Sequence, residues 1–541
     1  MVDLLSNISI RIGCRRVGLG GANRRQSCLT GRCRPLLPIA TIRCLKCCAF
    51  ALLLYGVGCT DGNAPIESNS SARPDQSSAP TPTSPDEVFC TSETDVPVWA
   101  GQRVDEPFDV KAYLVSRSAP RDNAAPLYLA ALTPICRYLA DGADSPLEKE
   151  VSELADIENL AAGTISRQRI EDVLVRVAPV LEQIDAAQTT PKCVFVTGLS
   201  VDALMPHALA VQTVSRLSIL QLKQAQKDGD FKQIEAAIQR SFRISRDLQP
   251  RGHEVCQLVS MAMDGRTLTG IERLTLTDSR LTVQQLDRLL EVLETHKQQM
   301  LNRVEEGLKM HYIVSRNSIE DLRSGRLTLD EIADFLSGLT EQPGDSSPSG
   351  LPRFNYEAEI AACNKLFKHA IAAAEKPTYC ADNLQELRQE LQRRKSEIDR
   401  FKDSIALTPP SERARLRDRA PSFLYGLWAA PVESLIEAEF RSAAQLAGTQ
   451  MLLILRRYEI VHGSIPGNLQ EAAAESVLKT VQTDPYDGKP LRMAVVSGKP
   501  TVYSVGKDCQ DDGGRADWNF GQEPGDYLFV LPSKTQLRRQ D

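Results

Sequence analysis

The sequence predicts a mainly α protein: a helical body followed by a small C-terminal α+β domain in which a long helix lies on an antiparallel sheet. Three observations lead there. Aromatic residues make up only 5% of the 541 residues, a balance that favours helix packed on helix over an aromatic-rich β-sandwich. Apolar residues recur at helical spacing through most of the chain. Only after about residue 490 do short β-type runs separated by turn residues appear.

Taken in order, residues 1–58 read as a targeting segment. Nine basic side chains precede position 59 (Arg11, Arg15, Arg16, Arg24, Arg25, Arg32, Arg34, Arg43 and Lys46) against the single acid Asp3. They lead into the apolar run Cys47 to Val57 and then Gly58 and Cys59, the order of a signal peptide. That run is shorter than the roughly 20 residues a bilayer span requires. Residues 59–87 are rich in Ser, Pro and Thr and carry too little apolar surface to fold, so they read as a disordered tether.

Residues 88–340 are expected to form a helical domain. Its clearest helix start is Leu281-Thr282-Val283-Gln284-Gln285-Leu286, with Thr282 as cap, Gln285 reaching back to the cap N–H, and Leu281 stapled onto Leu286. The same device recurs at Leu327 to Ile332. Residues 341–352 (EQPGDSSPSGLP) read as a linker. Residues 353–431 form a further helical segment, in which Leu384, Leu387, Leu391, Ile398 and Phe401 lie on a seam interrupted by Arg394; core packing is expected there over a dimeric coiled coil. In residues 432–541 a long helix from about Val432 to Val461 stops at Gly463 and Pro466. A short helix near Leu469 to Leu478 follows, and then runs at Leu491 to Val496, Thr501 to Val505 and Tyr527 to Leu531, with turns at Asp487-Gly488 and Ser497-Gly498-Lys499.

Charge and cysteine content narrow the partners. The chain carries 64 basic and 70 acidic residues; with nine of the basic ones in the targeting segment, the remainder is distinctly acidic and shows no basic run interleaved with aromatics. Nucleic acid is therefore not an expected partner. Beyond Cys59, cysteines stand at 90, 136, 193, 256, 363, 380 and 509, with no CxxC pair. Zinc ribbons and thioredoxin-like motifs are excluded, while disulfides of undetermined connectivity and buried thiols both stay open.

Gly56, Val57, Gly58 and Cys59 resemble the end of a bacterial lipoprotein signal. The resemblance implies lipidation of Cys59 and attachment to a membrane by a lipid anchor, on the periplasmic side of the cell envelope. The usual Leu three places before the cysteine is Gly56 here, and a plain secretory signal is the alternative.

The tail resembles the globular domain of the major pseudopilin of type II secretion systems over about its last 95 residues. The matching features are the helix end Tyr458 to Pro466 (YEIVHGSIP), the turn Thr483 to Pro490 (TDPYDGKP), the strand end Tyr503 to Gly506, and the acidic loop Lys507 to Asp517. The resemblance implies Ca2+ in that loop with Asp508, Asp511, Asp512 and Asp517 as ligands, chemistry that suits clustered hard oxygens; a solvated acidic turn is the alternative. It also implies another envelope or secretion protein as partner. The corresponding helix is internal here, so the chain is not processed as a pilin.

No catalytic motif is present: there is no GxSxG, P-loop or HExxH pattern. The six histidines (207, 253, 296, 311, 369 and 462) include no pair at i, i+4 spacing and read as surface or half-buried residues. No catalytic residue is assigned. The expected function is that of an exported envelope lipoprotein with a non-enzymatic binding or structural role; the alternative is a periplasmic hydrolase with an acidic site that no motif marks.

Overall fold

A computed structural model describes residues 96–136, 146–200, 203, 205–327, 355–375, 378–380, 382–407, 423–515 and 525–532. The targeting segment with Cys59, the tether, the linker at 341–352, the second capping box and Asp517 lie outside these. The described residues all belong to one compact unit, Thr83–Ile332 with Ser346–Asp541. The fold is mainly α with a small three-stranded antiparallel sheet near the C-terminus. Among the described residues no helix is long and apolar enough to cross a membrane.

Five helices open the body: α1 (Val110–Ser116), α2 (Ala125–Cys136), α3 (Pro146–Leu154), α4 (Ile157–Ala162) and α5 (Arg167–Gln188). Asp109, Asp156 and Ser166 cap α1, α4 and α5 by accepting a bond from an N–H of the first turn, satisfying donors that a helix start leaves open. Next come α6 (Pro206–Asp228), α7 (Phe231–Asp247) and α8 (Glu254–Gly270), the last continuing as a π-helical turn, Ile271–Thr275. In α7 the apolar stripe Ile234, Ile238 and Phe242 is buried, as is Leu248 just past its end, and the helix packs on α6 and α8.

Helix α9 (Val283–Gln299) starts on the expected capping box. Thr282 Oγ1 accepts from Gln285 N at 3.3 Å while Gln285 Oε1 accepts from Thr282 N at 2.9 Å. The staple residues Leu281 and Leu286 are both buried. Helix α10 (Arg303–Ser324) follows, then α11 (Tyr356–Ala374) and α12 (Asp382–Leu407). Leu384, Leu387 and Leu391 of α12 are buried, against α11 and α13.

Helix α13 (Phe423–His462) runs through the whole assembly, contacting α8, α9, α10, α11 and α12 as well as β2 and β3. It begins nine residues before the expected Val432, because Pro431 does not break it. A proline lacks the N–H of an interior turn, but Val432, Leu435 and Ile436 just beyond it are buried, and their packing holds the helix there. Gly463, at φ 71°, ends it.

After α14 (Leu469–Glu475) come β1 (Arg492–Val496), β2 (Lys499–Ser504) and β3 (Tyr527–Val530), in the order β1-β2-β3. Val496 pairs with Lys499 across a two-residue turn. Ser497 and Gly498 both take positive φ there (51° and 74°), the geometry that matches strand twist in tight hairpins. The sheet meets α13 where Gly448 leaves room for the ring of Phe529: a Cβ at 448 would lie 2.4 Å from that ring.

Asp484 ties the domain together. Buried, it accepts bonds from Tyr486 N (2.9 Å), Ser504 Oγ (2.8 Å) and Val505 N (2.9 Å). A disulfide, Cys380–Cys509, joins the α11–α12 connector to the loop after β2 across 129 residues. Two backbone bonds reinforce it, Tyr379 N to Pro485 O (3.1 Å) and Cys380 N to Tyr486 O (2.9 Å). Cys193, Cys256 and Cys363 are buried free thiols.

Candidate anion pocket and buried polar seam

The helical body opens a pocket of about 450 Å3 between the end of α5, the second half of α7 and one face of α9. Arginines at 240, 243 and 246 on α7 recur every three residues, so all three turn toward one side. Arg288, Glu291, Val292 and Thr295 face them from α9, and Asp185 and Gln188 close the α5 end.

Three of the four arginines are neutralised. Arg240 forms a two-pronged pair with Asp185 (2.5 and 2.6 Å). Arg243 binds Asp247 (2.9 Å) and Thr190 O (2.8 Å). Arg288 binds Glu235 (2.8 Å) and Glu291 (3.0 Å).

Arg246 differs. Its Nη1 lies 2.9 Å from Nδ1 of His296, and no carboxylate lies within ion-pair distance of it among the described residues. A guanidinium only donates, so Nδ1 of His296 is the acceptor and the ring proton sits on Nε2. That Nε2 faces Asp264 Oδ2 at 3.2 Å. The His296 ring is stacked on Phe242 at 4.0 Å between centroids, and burial holds its pKa below the usual range against the opposing pull of Asp264. The imidazole is therefore a neutral acceptor. Burial, together with neighbouring Arg243, lowers the pKa of Arg246 as well. The pocket thus holds a half-buried cation whose partner carries no charge.

Behind His296 runs a buried polar seam where α8 packs antiparallel to α10. Arg303 Nη1 donates to Asp264 Oδ2 (2.6 Å), its Nε to Glu439 of α13 (2.7 Å) and its Nη2 to Ser442 Oγ (3.0 Å). Burial alone would raise the pKa of Asp264; His296 and Arg303 outweigh it and hold the carboxyl low. One turn along α10 from Arg303, Gly307 allows close approach, since a Cβ there would stand 3.1 Å from Gln257 Cγ and 3.6 Å from Glu254 Cα. A further turn along, His311 meets the start of α8: its Nδ1 is 3.2 Å from Glu254 Oε2, and His253 Nδ1 is 2.5 Å from the same oxygen. Among the described residues, His253, Glu254 and His311 are the group of three whose metal-ligating atoms come within 4.8 Å of one another.

The loop to which the pseudopilin resemblance assigns Ca2+ engages the carboxylates of Asp508 and Asp511 locally. Asp508 Oδ1 accepts from Gln510 N (3.0 Å), and Asp511 Oδ1 accepts from Gly513 N (3.1 Å) and Tyr503 OH (3.2 Å). Asp511 also pairs with Arg492 Nε at 2.9 Å. The N–H of Asp512 points at Asp526 Oδ1 (3.4 Å). Asp517 lies outside the described residues. Lipidation at Cys59 lies outside them too.

The pocket and the seam were missed in the sequence. Arg246 and His296 are 50 residues apart and His253 and His311 are 58 apart, so no local spacing marks either pair. The one available signal is the triple Arg240, Arg243, Arg246 on a strongly amphipathic helix. No family model matches this sequence, and no curated protein or solved structure matches it.

Proposed function

We propose that the helical body binds a small organic anion, carboxylate or phosphate in character, in the pocket between α5, α7 and α9. The observation that carries this is Arg246, a half-buried guanidinium lining the pocket and held by neutral His296. An anion there would gain charge-assisted bonds that no protein group supplies, and a pocket of about 450 Å3 suits a small molecule. His296 and Asp264 fix the orientation of Arg246 so that little entropy is lost when ligand arrives.

The test is calorimetric titration of the protein with phosphate and with citrate, repeated for Arg246→Met. Loss of a charged hydrogen bond costs roughly 1.5–3 kcal/mol, so binding should weaken by about 10- to 100-fold and fall with added salt. Equal affinity in both proteins would overturn the reading.

The pocket belongs to an exported envelope lipoprotein in this reading, anchored through Cys59, with a binding and not a catalytic role. The signal-like order of residues 1–59 supports export, and the Cys380–Cys509 disulfide suits an oxidising compartment. The long helix on a three-stranded sheet supports a pseudopilin-like tail that docks another envelope or secretion protein. Mass spectrometry of the N-terminus after membrane fractionation tests the anchor: diacyl-modified Cys59 is expected, and an unmodified soluble chain would sink it.

A further inference from the structure

We propose that His253, Glu254 and His311 form a binding site for a divalent transition metal, with Zn2+ as the ion it takes. The proposal is independent of the anion pocket.

The donor set is two imidazoles and one carboxylate. Nitrogen and oxygen donors of this borderline type suit Zn2+, which takes His at about 2.0–2.1 Å and carboxylate oxygen at about 2.0–2.2 Å. Tetrahedral bonds of that length place neighbouring ligand atoms about 3.3 Å apart. Here Nδ1 of His253 and of His311 approach the same carboxylate oxygen at 2.5 and 3.2 Å, and all three donor atoms lie within 4.8 Å of one another. The rings meet edge to face, with centroids 6.2 Å apart and planes at 77°, so both nitrogens converge on one point without the rings colliding. Metal entry requires the shortest contact to spread and the imidazole nitrogens, no more than 4.8 Å apart, to draw together.

Burial separates this cluster from an exposed ion pair. Nδ1 of His253 and Oε2 of Glu254 are both buried atoms, and this one carboxylate oxygen faces two imidazole nitrogens at once. Imidazoles that converge on one buried oxygen offer their lone pairs to a metal once the protons between them leave, as metal binding at such sites requires. The side chains of Glu254 and His311 are 11% and 9% exposed, and His253 at 13% gives the route inward. The start of α8 repels a cation; the charge of Glu254, its first residue, offsets that.

Rigidity comes from the seam. Gly307 lets α10 lie against the start of α8, and Arg303 and His311, one turn to either side, fasten both ends of the contact. His311 comes from α10, His253 from the end of the α7–α8 connector and Glu254 from the first position of α8. A bound ion would therefore pin that connector to α10. Three protein ligands leave the fourth position for water.

The test uses the untagged full chain, stripped with chelator and titrated with Zn2+ at pH 7.5, alongside His253→Gln and Glu254→Gln. One equivalent should bind, more than about 100-fold tighter than in either variant, a loss larger than removing a group that only supports a ligand would bring. At a hundredfold excess over Kd it should raise Tm by about 3 °C. Co2+ provides the second readout: visible bands of tetrahedral nitrogen and oxygen coordination are expected, abolished in His253→Gln, whose partly exposed position lets the variant fold. Unchanged Zn2+ affinity in that variant would overturn the proposal, as would thiolate charge-transfer bands from Co2+, since these would place the ion at one of the buried cysteines.

Discussion

Removing the Cys380–Cys509 bridge should lower the stability of the fold by several kcal/mol through the unfolded chain. The cross-link closes a loop of 129 residues. In the chain-entropy description a loop of that size loses about 16–17 cal/mol/K of unfolded-state entropy, or about 5 kcal/mol at 25 °C. The two backbone bonds beside it, from Tyr379 and Cys380 to the Pro485-Tyr486 turn, remain when the sulfurs go, so the folded geometry survives and the loss falls on the unfolded side. The Cys380→Ser/Cys509→Ser protein should therefore unfold in urea with a stability lower by about 4–5 kcal/mol, followed by far-UV circular dichroism. Reductant should bring the native protein to the same midpoint and leave the double variant unmoved. A double variant with the native midpoint, or a reductant effect that persists without the two cysteines, would refute the reasoning.

Three further outcomes follow from the packing. Gly448→Val drives a side chain into the ring of Phe529, 2.4 Å from the added Cβ, and should destabilise by about 1–3 kcal/mol; adding Phe529→Leu should restore part of the loss, and unchanged thermal stability in the single variant would contradict the packing. His207, stacked on Phe195 at 5.0 Å, has its pKa lowered by burial to about 4, against about 6.5 in the unfolded chain. Its contribution is complete above pH 6.5 and is lost as pH falls toward 4, because the unfolded state takes up the proton first; His207→Leu should remove about 3 kcal/mol of the stability difference between pH 7 and pH 4, and an unaltered pH profile would exclude it. Thr282→Ala deletes one half of the reciprocal cap of α9 and should cost about 1 kcal/mol, measured by chemical denaturation, with Thr282→Ser near native.

What the sequence made legible was local. Alternation and turn residues placed all three strands within two residues of their observed ends, because Ser497-Gly498 admits the positive φ values a tight hairpin needs. Thr282 and Gln285 announced their capping box for a similar reason: both partners of each bond lie within three residues. The helix start at Phe423 was hidden by Pro431, whose local preference is overridden by burial of Val432, Leu435 and Ile436. The polar seam was hidden more deeply. Arg303 finds Asp264, Glu439 and Ser442 on two different helices, and His253, Glu254 and His311 meet only after α10 folds back on α8. Hydrophobic periodicity reports which face of a helix is buried but not which buried charges will be opposite one another. Histidines that read as scattered in the chain are gathered by that packing.

Helix α13 has a consequence for how the protein is made. Its contacts close the body across α8, α9, α10, α11 and α12, yet its residues, 423–462, lie in the last quarter of the chain. While the earlier helices emerge during synthesis, the faces they will turn toward α13 stay uncovered, and Arg303 waits for Glu439 and Ser442. Contacts this distant in sequence form late and slowly. The body therefore cannot complete its fold as it is produced, piece by piece; it must be kept from aggregating until α13 is present, and the bridge between Cys380 and Cys509, a residue beyond that helix, closes only afterwards.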